Sequence, residues 1–126
     1  MSELKAGDQV IAHYKSGKYY GKIIEDRGRF YLVEVLAVAK HPMQGDLHNP
    51  GETEDVFFHQ RKALSHYEKA NIAKSAVKAY DGDVPPYEDS LRTAVDELKA
   101  KLERKKTVFN QKAKDQLINL ERSYFS

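Results

Sequence analysis

The chain has 126 residues, of which 40% are hydrophobic and 32% charged, and its net charge is +2. That length suits one compact domain, or a small core with a helical extension, and the mild charge lacks the strong basic footprint usual in nucleic-acid binders. It contains no cysteine, which excludes disulfides, thiol catalysis, zinc–thiolate sites and any lipid carried on cysteine.

The opening MSELKAGD has no apolar stretch of the kind a secretory leader carries, so a cytoplasmic location is the expectation. In GDQVIAHY, Val10, Ala12 and Tyr14 fall on one face and Ile11 and His13 on the other, the alternation of a half-buried strand. KSGK follows as a hairpin turn, with Gly17 expected to take the positive φ. KYYGKIIED resumes the alternation, with Gly21 expected at a bulge or a close backbone approach. DRGR is a second turn, in which Asp26 can bond its own backbone and Gly28 can supply the left-handed residue. FYLVEVLAV is dense in β-branched and aromatic residues and completes three antiparallel strands over roughly 9–39. The mostly apolar stretch it belongs to is about half of the roughly 20 residues a membrane helix needs, and Glu34 interrupts it.

Beyond it, DVFFHQRKALSHY is expected to add one or two short strands that close the sheet. The fold expected is α+β, with a small SH3-like antiparallel barrel over 1–80 and a helical region over 81–126; an open meander backed by helices is the competing architecture. NIAKSAVKAYDGDVPPYED, with Gly82, Pro85 and Pro86, reads as irregular, with a helical turn near 73–77. Two helices follow. Leu91, Val95, Leu98 and Leu102 recur on one face of the first, with Asp89 or Ser90 as its cap. Phe109, Ala113, Leu117, Leu120 and Tyr124 form the stripe of the second. These stripes must pack on each other as a helical hairpin, on the sheet, or on a second copy in a homodimer.

The stretch HPMQGDLHNP at 41–50 carries the densest polar chemistry. His41, Asp46 and His48, with His59, are residue types that bind divalent metals, and an Asp–His pair can orient a general base. The spacing matches no zinc signature, and no nucleophile or oxyanion site accompanies it, so neither a metal nor a catalytic site is assigned. Gly45-Asp46 and Asn49-Pro50-Gly51 are turn material, which makes the stretch a proline-bounded loop and a candidate contact surface. Tyr14, Tyr19, Tyr20, Phe30 and Tyr31 cluster on the strands. Neighbours such as 19/20 and 30/31 must point to opposite faces, so about half belong in the core and the others can bind a partner. KAKLERKK at 99–106 reads as a helix end whose positive charge offsets the macrodipole. Joined to Lys15, Lys18, Lys22 and Arg29, it would instead make a basic face for nucleic acid.

Several strings together point to a family. YLVEVLAVAKHPMQGDLHNP, GDQVIAHYKSGKYYGKI, FHQRKAL, VPPYEDSLRTA and LERSYF resemble the corresponding segments of the kinase-associated protein B family, also called kinase-associated lipoprotein B. The resemblance covers essentially the whole chain, and KHPMQGDLHNP is its most specific element. It implies an SH3-like barrel followed by helices, in a family of spore-forming Gram-positive bacilli. It also implies a link to the pathway of a membrane-bound sensor histidine kinase that feeds the sporulation phosphorelay, with no enzymatic activity, no catalytic residues and no cofactor. With no cysteine to accept a lipid, any membrane association is expected through a partner, the kinase or another component of its pathway. The contact surface expected on these grounds comprises His41, Gln44, Asp46, His48, Tyr19 and Tyr31.

Overall fold

The computed structural model describes residues 4–45 and 60–125. Five strands, β1 (Gln9–Tyr14), β2 (Gly17–Arg27), β3 (Phe30–Lys40), β4 (Lys69–Ala73) and β5 (Val77–Ala79), are followed by helices α1 (Tyr87–Glu103) and α2 (Val108–Tyr124). The sheet is antiparallel in the order β4-β3-β2-β1-β5. β4 and β5 therefore occupy opposite edges, yet a single 3-10 turn (Lys74–Ala76) joins them. Four residue steps span at most about 14 Å, whereas the edge strands of a flat five-stranded sheet lie about 19 Å apart. The sheet must curl, and its inner face fills accordingly: Val10, Ala12, Ile23, Tyr31, Val33, Ile72 and Val77, from all five strands, form one buried cluster. The strand order and the 3-10 turn are those of an SH3-like barrel. The ladder stays open, however, since no strand pairing joins β4 to β5 among the described residues.

The β1–β2 turn differs from its expected form. Tyr14 pairs with Gly17, and the positive φ values fall on Lys15 (45°) and Ser16 (67°). A two-residue hairpin loop needs left-handed backbone at its centre to follow the strand twist. Gly17 answers a different demand: a Cβ there would lie 2.6 Å from the Tyr19 hydroxyl. The β2–β3 turn is as expected, with Gly28 at φ 78° and its N–H donating to Asp26 Oδ1 at 3.0 Å. Gly21 is both a bulge and a close approach. The β2–β3 register slips beside it, and a Cβ would meet Val33 Cγ1 at 2.5 Å and the Glu34 carbonyl at 2.8 Å.

Two expectations for the middle of the chain are corrected. Residues 60–67 form no strand; 55–59 lie outside the described residues. The last strands instead flank the 3-10 turn, in the region read as irregular. They are short, and β4 turns only Ala70 and Ile72 inward, too little alternation to stand out.

The helices extend the core. Leu91, Ala94, Val95 and Leu98 of α1 and Leu117 of α2 cluster with Tyr19, Val35, Val38 and Ala63. α1 begins at Tyr87, earlier than expected, behind Pro86, which has no N–H to leave unpaired. Ser90 is therefore no cap. Its buried hydroxyl donates to the Tyr87 carbonyl at 2.6 Å and accepts from Val38 N at 2.9 Å, tying α1 to β3. Thr107 caps α2 by accepting from Asn110 N, while Asn110 Nδ2 donates to the carbonyls of Leu102 and Lys105. One asparagine thus satisfies backbone groups that the end of α1 leaves open.

Candidate partner-binding site

The connection from β3 to β4 has two described stems, 41–45 and 60–68, and neither is helix or strand. Their buried backbone groups still need partners, and side chains from distant elements supply them. Gln44 donates to the Arg61 carbonyl at 2.8 Å and accepts from Arg61 N at 2.8 Å, which pins one stem to the other. Tyr124 Oη, at the end of α2, accepts from Ala63 N at 2.9 Å. Tyr19 Oη accepts from Leu64 N at 3.3 Å, and Tyr87 Oη donates to the Leu64 carbonyl at 2.6 Å. Tyrosines from β2, α1 and α2 therefore hold 63–64 in place of a strand ladder.

His41 joins this network from the other stem. Its Nδ1 lies 2.9 Å from the Pro42 carbonyl and its Nε2 lies 2.9 Å from Tyr124 Oη. A carbonyl can only accept, so Nδ1 carries the proton and Nε2 accepts from the tyrosine. Burial disfavours the imidazolium and holds the pKa below the ordinary 6.5, against a smaller upward pull from the Pro42 carbonyl. Burial likewise pushes the Tyr19 phenol up to about 12, and raises Tyr87 and Tyr124. All three phenols stay protonated at neutral pH.

The expected contact residues thus separate. His41, Gln44, Tyr19 and Tyr31 are all buried, so their side chains buttress the stems and the sheet and do not form an exposed patch. The reason is strand parity: in each adjacent aromatic pair the inward member is Tyr19 or Tyr31, leaving Tyr20 partly exposed and Phe30 44% exposed. Asp46, His48 and His59, and the turn at Asn49-Pro50-Gly51, lie outside the described residues. Among the described residues no three metal-ligating side chains gather. Sequence reasoning missed the roles of Tyr87, Tyr124 and Arg61. Tyr124 belongs to the α2 stripe, but its hydroxyl partner is 83 positions away, and no spacing rule reports that.

At the surface, the stems and the Lys15–Ser16 turn meet. Ser16 Oγ accepts from Met43 N at 3.0 Å, so the left-handed turn braces the first stem directly. Lys15, Met43 and Lys62 stand outward around it.

Fold and site together define a small α+β protein whose β3–β4 connection has stems locked by buried side chains. A family model described as Kinase associated protein B matches residues 14–125. The chain is 44% identical to Kinase-associated lipoprotein B of Bacillus subtilis (strain 168) over 126 residues, covering all of this chain and 98% of that protein. It also matches the crystal structure of kinase-associated protein B from Bacillus cereus with a TM-score of 0.83 at 30% identity, covering 97% of this chain and 98% of that one. The chain belongs to the kinase-associated protein B family.

Proposed function

We propose that this protein is a non-enzymatic accessory factor of a sensor histidine kinase pathway that activates the sporulation phosphorelay, and that it acts by protein–protein contact. The observation that carries this reading is full-length similarity at 44% identity to a protein named for its association with a kinase. The buttressed stems support it: an adaptor needs a binding segment on a rigid base, and the stems provide such a base. The proposed contact residues are Asp46 and His48 with the outward residues at the root of the connection, Lys15, Met43 and Lys62. A kinase is influenced this way when the protein binds one of its conformations more tightly than the other. The protein acts in the cytoplasm and meets the membrane through its partner. No helix among the described residues is long and apolar enough to cross a membrane.

Calorimetric titration against the cytoplasmic region of the kinase tests this. Saturable binding is expected, and no heat at about 100 μM would sink direct action. For a nucleic-acid module, the surface charge offers little support. Lys99 is paired with Glu121 at 2.9 Å and Glu103 with Lys114 at 2.6 Å, so the proposed basic helix end is charge-mixed.

A further inference from the structure

A groove of about 260 Å³ runs between α1 and the β2–β3 ladder, and none of its lining residues belongs to either stem. Its floor is apolar, made by Val38 and Ala39 of β3 and Ala94 of α1; the small side chains at 39 and 94 leave it open. One wall is the partly exposed Tyr20 ring. Tyr80 packs on that ring at a centroid distance of 5.1 Å, and its hydroxyl donates to the Asp83 carbonyl at 3.0 Å. Gln9 Nε2 donates to the carbonyls of Tyr80 and Gly82. The wall is therefore held in place before anything enters the groove.

The rim carries charge of one sign. Asp89 and Glu97, both exposed, stand on one side of α1, about 12 Å apart along its axis, and no cation lines the groove. Among the described residues neither carboxylate has an ion pair within 4 Å. Lys18, Lys40 and Lys101 line the neighbouring cavity, which shares Glu97 but not Asp89. The stretch 46–59 carries Asp46, Glu52, Glu54 and Asp55 and brings no lysine or arginine to balance the rim. An apolar floor, an aromatic wall and carboxylates above them match a long amphipathic cation. Its stem lies on apolar surface while its head reaches the charges, and the ring adds its own attraction.

We infer that this groove docks a lysine or arginine side chain presented by a partner protein, its stem on Ala39 and Ala94 and its head held by Asp89 or Glu97 beside the Tyr20 ring. The site uses none of the contact residues proposed above, and it stands whether or not the partner is a kinase. Acidic segments are repelled by the same rim.

Nitrogen–proton correlation spectra of the intact protein test the groove through the backbone amides of Tyr20, Ala39 and Ala94. The probes are the blocked tripeptides acetyl-Ala-Arg-Ala-amide and acetyl-Ala-Lys-Ala-amide, compared with their glutamine and glutamate counterparts at equal ionic strength. Saturable shifts at these amides with at least one cationic peptide, half-complete at about 1–10 mM, are expected, and none with the glutamine or glutamate peptide. The peptide that saturates first distinguishes an arginine from a lysine ligand. The exposed pair D89N/E97Q should weaken binding at least about threefold without touching the core. A39L fills the floor and should weaken it as well; if that variant disturbs the fold, D89N/E97Q still decides. No saturation below about 30 mM, equal shifts from the glutamine peptide, or an unchanged midpoint in D89N/E97Q would overturn the assignment.

Discussion

The His41 imidazole sits where the chain leaves β3, with both ring nitrogens occupied and no exposure to solvent. Its folded pKa lies below 6.5, whereas in the unfolded chain it returns to the ordinary value. Below about pH 6.5 the unfolded state therefore binds more protons than the folded one, and stability must fall with pH. The contribution is complete above that value and is lost as pH drops toward the lowered folded pKa. Urea unfolding at about pH 7.5 and about pH 5.5 should show this loss, and His41→Gln should flatten the difference. Equal slopes in the two proteins would remove His41 from the account. The same residue shows why the site was only partly legible. A histidine in a proline-bounded polar stretch reads as exposed, because its partner Tyr124 comes from the far end of the described chain. Gly17 misled in the opposite way: its meaning lies in the Tyr19 ring packed over it, not in its own φ.

Among the elements, the two long strands and both helices were visible as periodicity, since each repeats its apolar spacing over several turns or pleats. β4 and β5 were not. Each is so short that its inward residues cannot establish a period, and they become strands only because β3 and β1 offer edges to pair with. The start of α1 was misplaced for a related reason: a capping rule found Ser90, but that hydroxyl serves β3. Ser90→Ala tests this tie between elements. It strands the buried Val38 N–H, which should cost about 1–3 kcal/mol in a denaturation midpoint, while helix content by circular dichroism stays unchanged. A drop in helix content with no change in midpoint would restore Ser90 to a capping role.

Across the whole molecule, one buried cluster joins the sheet of the expected 1–80 region to the helices of the 81–126 region. Tyr19, Val35 and Val38 of the sheet are buried together with Leu91, Val95, Leu98 and Leu117 of the helices, and Tyr87 and Tyr124 complete the second stem. Sheet and helices should therefore melt together. The intact chain is expected to show one transition with coincident fluorescence and circular dichroism. A fragment ending at residue 80 should lose the dispersed amide spectrum of a packed domain; a well-dispersed spectrum from it would show that the sheet stands alone. The tyrosine-held stem has a kinetic counterpart. The amides of Ala63 and Leu64 belong to no helix or strand, yet each donates to a phenol anchored on a different element. They can exchange their hydrogens with solvent only when the packing of helices on sheet opens. An irregular stretch thereby acquires the slow clock of the core.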